Sequence, residues 1–143
     1  MIVKGSISFP GDKSISHRAL MIAALSSDRS IIKNLSNGAD VKSTEKCLQQ
    51  CGILIERLSN NTITLNGKTF TDPKTDLDCG NSGTTIRLLT GLLAGQKINA
   101  RFIGDNSLSN RPMDRIVKPL SKMFLDIQSN SGKLPISIKS SDI

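Results

Sequence analysis

The apolar positions of the chain fall into two successive, similar patterns. In the first, the segment from Ile15 is apolar nearly all round between Ala19 and Leu25, which predicts a buried helix ended by Ser26-Ser27-Asp28. A short β-rich run follows from Ser30 to Leu35. Asn37-Gly38-Ala39-Asp40 reads as a turn and a helix cap, with Asp40 accepting from free first-turn N–H groups. Val41, Thr44, Leu48 and Cys51 then recur at helical spacing, and Gly52 supplies the stop. Ile53–Ile55 and Thr62–Leu65 read as strands about an Asn60-Asn61 turn, closed by Asn66-Gly67.

The second pattern opens at Cys79-Gly80-Asn81-Ser82-Gly83-Thr84 and runs into an apolar helix from Thr85 to about Ala94. Ile98–Ile103 reads as a strand. Arg111-Pro112 begins a helix, since proline is favoured in a first turn, and Met113, Ile116, Val117, Leu120 and Phe124 form its apolar stripe. Pro119 should kink or split that helix, which also lacks a stop glycine before Leu125. Leu125–Gln128 and Leu134–Ile138 make a closing strand pair, with Pro135 either at the start of the last strand or marking an edge. A unit of helix, strand, helix, strand, strand therefore occurs twice, roughly 70 residues apart, and such self-similarity is an architectural signal. The fold class is α/β (α+β).

Composition narrows the function. The chain has 143 residues, 37% of them hydrophobic, enough for one domain that buries roughly 70% of its unfolded surface. No apolar run approaches the ~20 residues of a membrane span, and Met1-Ile2-Val3-Lys4-Gly5 lacks the shape of a signal peptide. A cytoplasmic protein with no membrane partner is the expectation. Cys47, Cys51 and Cys79 are odd in number, which argues against a disulfide framework. Cys47 and Cys51 read as an apolar helix face in preference to half a metal site, because His17 is the only histidine. No metal is expected. The net charge of +7 favours an anionic partner. With no Trp, no Tyr and only four Phe, the stacking platforms of single-strand binders are scarce, so a small phosphorylated ligand fits better than nucleic acid.

Both patterns place a glycine-bearing loop before a helix N-terminus, where free N–H groups and about half a positive charge bind phosphate or carboxylate. In the first, Lys13 and His17 share one face and Ser14 and Arg18 the adjoining one. Basic side chains here oppose the helix dipole, which a bound anion would offset; a solvated basic helix start is the alternative. His17 reads as structural or surface-exposed, not catalytic. Asp12 before Lys13 breaks the spacing of a Walker A loop. In the second, Gly83 allows an anion close to the backbone, with Arg87 on the first turns and Arg111 at the next helix start; an ordinary capped loop is the alternative. Asp40 is only a cap, or a cap that also holds a nearby lysine in place.

PGDKSISHRALMIAAL (10–25), NGADVKSTEKCLQQCG (37–52), CGNSGTTIRLL (79–89) and GDNSLSNRPM (104–113) together resemble the N-terminal signatures of the 5-enolpyruvylshikimate-3-phosphate synthase family, in that family's order and spacing. The resemblance implies two domains, each of three βαβαββ units. It implies that residues 1–10 form a strand crossing from the second domain, that 11–78 form one unit, and that 79–143 form the next. It implies transfer of the enolpyruvyl group of phosphoenolpyruvate to the 5-hydroxyl of shikimate 3-phosphate, with release of phosphate, in aromatic amino-acid biosynthesis, by a cofactor-free monomer inhibited by glyphosate. Residue by residue it places Lys13, Ser14 and Arg18 on shikimate 3-phosphate, and Lys13, Gly83 and Arg111 on phosphoenolpyruvate. Lys13 and Arg111 act electrostatically, and Asp40, Asn81, Thr84 and Arg87 form the supporting shell. Leu88 stands where part of the family has proline. The third unit with its Ser-Ser-Gln motif, and the second domain with its catalytic carboxylates, have no counterpart in the 143 residues, so the chain alone is expected to be inactive. The alternatives are the sister enzyme that acts on a UDP-amino sugar, against which Ser14 and Arg18 argue, and a non-enzymatic anion-binding module.

Overall fold

The computed structural model describes residues 4–7, 9–67 and 69–140. The first repeat comprises α1 (Lys13–Leu25), β1 (Arg29–Ile32), α2 (Ala39–Gln50), β2 (Leu54–Ser59) and β3 (Thr62–Asn66). The second comprises β4 (Leu77–Asp78), α3 (Gly83–Gly95), β5 (Ala100–Ile103), α4 (Asn106–Ser109), α5 (Asp114–Lys122), β6 (Asp126–Asn130) and β7 (Lys133–Lys139).

The sheets confirm that the two patterns are one design used twice. The first sheet has the order β1-β3-β2, and the second β4-β5-β7-β6. With β1 matched to β5, β3 to β7 and β2 to β6, the orders coincide, and both shared ladders are antiparallel in each sheet. The second sheet adds β4, parallel to β5. Residues 4–7 and 9–10 hold no strand; the rest of the strand expected over 1–10 lies outside the described residues.

Three of the helices, α2, α3 and α5, close alike. Gly52 after α2 has φ +90°, Lys97 after α3 has φ 57° and Phe124 after α5 has φ 65°. In each case the next amide reaches back to a helix carbonyl: Ile53 to Leu48 at 3.1 Å, Ile98 to Leu93 at 3.0 Å, and Leu125 to Leu120 at 3.2 Å. These are left-handed C-terminal stops. The missing stop glycine of α5 is thus replaced by a phenylalanine in the conformation a glycine would take. Phe124 is consequently 86% exposed and leaves the expected apolar stripe, while Met113 is buried and Ile116, Val117 and Leu120 are half-buried.

Two further expectations are corrected. Arg111-Pro112 does not begin α5; the chain first makes the short turn α4, capped by Asp105, and α5 starts at Asp114 with Pro119 inside a single helix. Proline at that depth loses one backbone bond in a helix only nine residues long. Pro135 does not mark an edge, because β7 lies between β5 and β6. It sits where the β6 ladder shifts register and just before the β5 ladder begins at Ile136, so its missing N–H falls at a bulge.

The core lies between the helices and the two sheets. Leu20, Met21 and Ala24 of α1, Val41 and Leu48 of α2, and Ile86, Leu89 and Leu93 of α3 meet Ile63 and Leu65 of β3 and Phe102 of β5. At roughly 1.5–3 kcal/mol for each large apolar side chain buried, this is the main source of stability. Ile15 and Ile22 of α1 are about two-thirds exposed, a second apolar stripe one turn round from the buried one. Cys47, Cys51 and Cys79 are fully buried free thiols. Cys47 Sγ donates to the Asp78 carbonyl at 3.6 Å and Cys79 Sγ to the Leu77 carbonyl at 3.9 Å, so α2 meets the strand leading into α3 through sulfur. Burial, with Cys47 and Asp72 nearby, pushes the Cys51 thiol up to about 12. The neighbouring Cys47 thiol, reinforced by burial, pushes that of Cys79 up as well. No helix among the described residues is long and apolar enough to cross a membrane.

Candidate functional site

The openings of α1, α2 and α3 lie together at one end of the molecule. At α1 the Asp12 side chain caps the helix, accepting from Ile15 N at 2.8 Å. Gly11 is required there because a Cβ would lie 1.8 Å from the Asn34 carbonyl oxygen. The Ser16 hydroxyl donates to the Asp12 carbonyl at 2.7 Å and accepts from Ser36 N at 3.0 Å, which fixes the loop. The first turn carries no carboxylate. Lys13, Ser14 and Arg18 project from it exposed, and the Arg18 guanidinium returns to the Ser14 carbonyl at 3.0 Å.

Asp40 is not the cap of α2. Gly38 holds that position without a side-chain bond, and Asp40 lies inside the first turn, where its carboxylate is ion-paired with Lys13 Nζ. Of the two roles open to Asp40 in the sequence, tethering the lysine is the one observed. Its backbone carbonyl accepts from the Thr85 hydroxyl at 3.2 Å, so one residue touches the openings of both α1 and α3.

At α3 the cap is Ser82, whose hydroxyl accepts from Thr85 N at 3.1 Å, and the helix starts at buried Gly83, followed by half-buried Thr84. A Cβ on Gly83 would lie 2.6 Å from Arg87 Nη1 and 3.5 Å from Arg111 Nη1, so two guanidinium groups converge on this one backbone position. Arg87 reaches only carbonyls, those of Gly83 and Pro112, each at 3.4 Å, and its buried Nε has no partner. Arg111 donates to the Asn81 carbonyl at 3.3 Å, to the Asn81 side-chain oxygen at 2.5 Å and to Ser107 at 3.2 Å. Asn81 is held in turn by donating to Asp105 at 2.7 Å. The Leu108 backbone bond and then Asn81 hold the Asp105 carboxyl below its ordinary range. No carboxylate pairs directly with Arg87 or Arg111 among these contacts. Two cations above a helix N-terminus, with mostly long bonds to neutral oxygens, form a place where an anion is favoured.

The sequence did not foretell what joins the openings. His17 is wholly buried, and its Nδ1 lies 2.7 Å from the Thr44 hydroxyl, itself 2.8 Å from the Thr85 hydroxyl, which donates to Ser82 Oγ at 2.7 Å. Thr85 has one proton, directed to Ser82 and the Asp40 carbonyl, so Thr44 donates to Thr85. Thr44 can then only accept, and His17 carries its proton on Nδ1. Nε2 is left as a bare, buried acceptor without a partner. Burial depresses the His17 pKa, against the opposing pull of Asp40 and with the help of Lys13 and Arg18, so the ring is neutral near pH 7. Threonines at positions read as helix stripe gave no sign of this role; a polar residue recurring on a buried face was the available signal.

All the candidate residues thus gather at one end: Lys13, Ser14, Arg18 and Asp40 on one side, Asn81, Gly83, Thr84, Arg87 and Arg111 on the other. A cavity of about 520 Å³ lined by Leu25, Ser26, Ser27, Gly67 and Thr69 lies at the far end of α1 and takes in none of them.

A family model for EPSP synthase (3-phosphoshikimate 1-carboxyvinyltransferase) matches residues 2–143. The chain belongs to the EPSP synthase family. Among relatives bearing the name 3-phosphoshikimate 1-carboxyvinyltransferase, that of Koribacter versatilis is 45% identical over 143 residues, covering 99% of this chain and 34% of its own. That of Ruthia magnifica is 46% identical over 141 residues, covering 96% and 32%. The solved EPSP synthase of Acinetobacter baumannii superimposes with a TM-score of 0.91 at 38% identity, over 96% of this chain and 32% of that one. The chain therefore spans about a third of the length of these EPSP synthase relatives, and its two repeats have the EPSP synthase fold.

Proposed function

We propose that these residues form part of the substrate site of an enzyme that transfers the enolpyruvyl group of phosphoenolpyruvate to the 5-hydroxyl of shikimate 3-phosphate and releases phosphate. The observation that carries the reading is the convergence of Arg87 and Arg111 on Gly83, facing the α1 opening with Lys13 and Arg18 across Asp40. Both substrates are multiply anionic, and each charge-assisted hydrogen bond contributes roughly 1.5–3 kcal/mol. Ser14 and Arg18 hold shikimate 3-phosphate. Gly83 and Arg111 hold phosphoenolpyruvate, and Lys13 touches both. Asn81 orients Arg111, Asp40 orients Lys13, and Arg87 and Thr84 complete the rim of the α3 opening.

In the reaction, the acceptor hydroxyl gives up its proton and its oxygen bonds to the substituted alkene carbon of phosphoenolpyruvate while the methylene carbon takes up a proton. The tetrahedral intermediate then loses phosphate from the same carbon and a proton from the new methyl group, which restores the alkene. Lys13 and Arg111 stabilise the charge that collects on the departing phosphate, as fixed cations do without reorganising. The catalytic carboxylates belong to the two-thirds of the relatives' length that these residues do not span. The whole is a soluble, cytoplasmic monomer of two domains, in which residues 1–10 cross from the second domain, 11–78 form one unit and 79–143 the next.

The test is phosphate release by the full-length gene product. Release that requires both substrates and is inhibited by glyphosate supports the reading, and for the 143 residues alone no turnover is expected. A full-length product that accepts a UDP-amino sugar instead, or that binds nucleic acid in a strongly salt-dependent way without turnover, would overturn it.

A further inference from the structure

We propose that His17, Thr44 and Thr85 are positioning residues for the two-substrate site, acting through the buried chain that runs from His17 Nδ1–H through Thr44 and Thr85 to Ser82. This rests on the enolpyruvyl-transfer reading above.

The chain crosses the seam between the two repeats: His17 belongs to α1, Thr44 to α2, and Thr85 and Ser82 to the start of α3. Its links are 2.7, 2.8 and 2.7 Å long, and all four side chains are buried. Its two ends abut the groups that meet the ligands. His17 lies one turn beyond Lys13 on the same face of α1, and Ser82 immediately precedes Gly83. A branch from Thr85 reaches the carbonyl of Asp40, whose carboxylate holds Lys13.

The rest of the contact between α1, α2 and α3 is made by Leu20, Val41, Ile86 and other apolar side chains. Apolar contact is non-directional and leaves one helix able to slide against another. A directed chain of four polar groups has one register, because shifting any member leaves a buried group unsatisfied. The chain therefore sets the spacing between the lysine and the arginine pair, across which the two substrates must meet. A displacement of about 1 Å is enough to cost roughly 100-fold in rate. All three residues are wholly buried, so they act through the groups beside them.

The test compares Thr44→Val, which keeps the shape and removes the hydroxyl, with Thr44→Ser, which keeps the hydroxyl, in the full-length enzyme. Thr44→Val should lower kcat by about 10-fold or more, with each KM within roughly threefold. Thr44→Ser should retain kcat within about twofold, although both variants lower Tm. His17→Asn, which offers an amide N–H near the place of Nδ1–H, should likewise retain more activity than His17→Leu. If Thr44→Val does not fold, the same pair of changes at Thr85 decides. Equal loss of kcat in the Val and Ser variants, or none in either, would overturn the proposal while leaving the function in place. Wild-type enzyme without turnover would overturn both.

Discussion

Gly83 and Arg87 are in such close register that a single added carbon on the glycine would lie 2.6 Å from the arginine's Nη1. Because that atom is the far end of a flexible side chain, Gly83→Ala should fold, with stability changed by less than about 1 kcal/mol. The Arg87 guanidinium must move, and the added methyl narrows the backbone approach assigned to phosphoenolpyruvate. The expected result in the full-length enzyme is a KM for phosphoenolpyruvate raised about 10-fold, with that for shikimate 3-phosphate within roughly threefold. Steady-state kinetics with each substrate varied would show it, and an unaltered phosphoenolpyruvate KM would count against the site.

The α1 opening should behave in the opposite sense. Arg18 is exposed and spends one donor on the Ser14 carbonyl. Arg18→Ala should weaken shikimate 3-phosphate by roughly 10–100-fold and phosphoenolpyruvate far less. Calorimetric titration of the full-length variant with each substrate separates the two. Equal effects would contradict the division of the site.

Buried His17 should leave a mark on stability against pH. Its folded pKa lies below the unfolded value of about 6.5. The unfolded chain therefore binds the extra proton first as pH falls, and stability declines from about pH 6.5 down towards the folded pKa. Asp105 loses its contribution only in the carboxylate range, at lower pH. Thermal melts between pH 7.5 and pH 5 should show Tm falling, and His17→Asn should flatten that slope. A slope unchanged in the variant would mean that His17 is not the group responsible.

Phe124 has φ 65° and is 86% exposed, so its side chain contributes little burial to offset a left-handed backbone. Phe124→Gly should stabilise the protein by about 1 kcal/mol. Chemical denaturation should show the midpoint rising without a change in slope. A lower midpoint would show that the ring makes a contact worth more than the backbone strain.

Much of this was legible in the sequence, and for a local reason. The helix stripes, the glycine at position 52 and the turns depend on neighbours a few residues away, so Val41, Thr44, Leu48 and Cys51 are indeed one buried face. The placing of Lys13, Arg18, Gly83 and Arg87 was legible for the same reason, since each sits in the first turns of a helix, whereas Arg111 lies between α4 and α5. What failed depended on partners far along the chain. Asp40 looks like a cap until Lys13, 27 residues earlier, is seen to take its carboxylate. Pro135 resembles an edge residue until β5 and β6 are placed on either side of it. The role of Thr85 needed Thr44 and His17 together, on three successive helices, and no periodicity encodes a hydrogen bond between faces.

The sulfur contact at the seam has a use of its own. Cys47, Cys51 and Cys79 are sealed from solvent, and Cys51 and Cys79 are held in the thiol form, so a maleimide or disulfide reagent does not reach them while the repeats stay packed. Labelling must wait for an opening event, and all three residues flank the contact between α2 and the strand that enters α3. The native protein thus carries a built-in clock: the rate at which its thiols become modified counts how often the two repeats part, with no probe added and no residue changed.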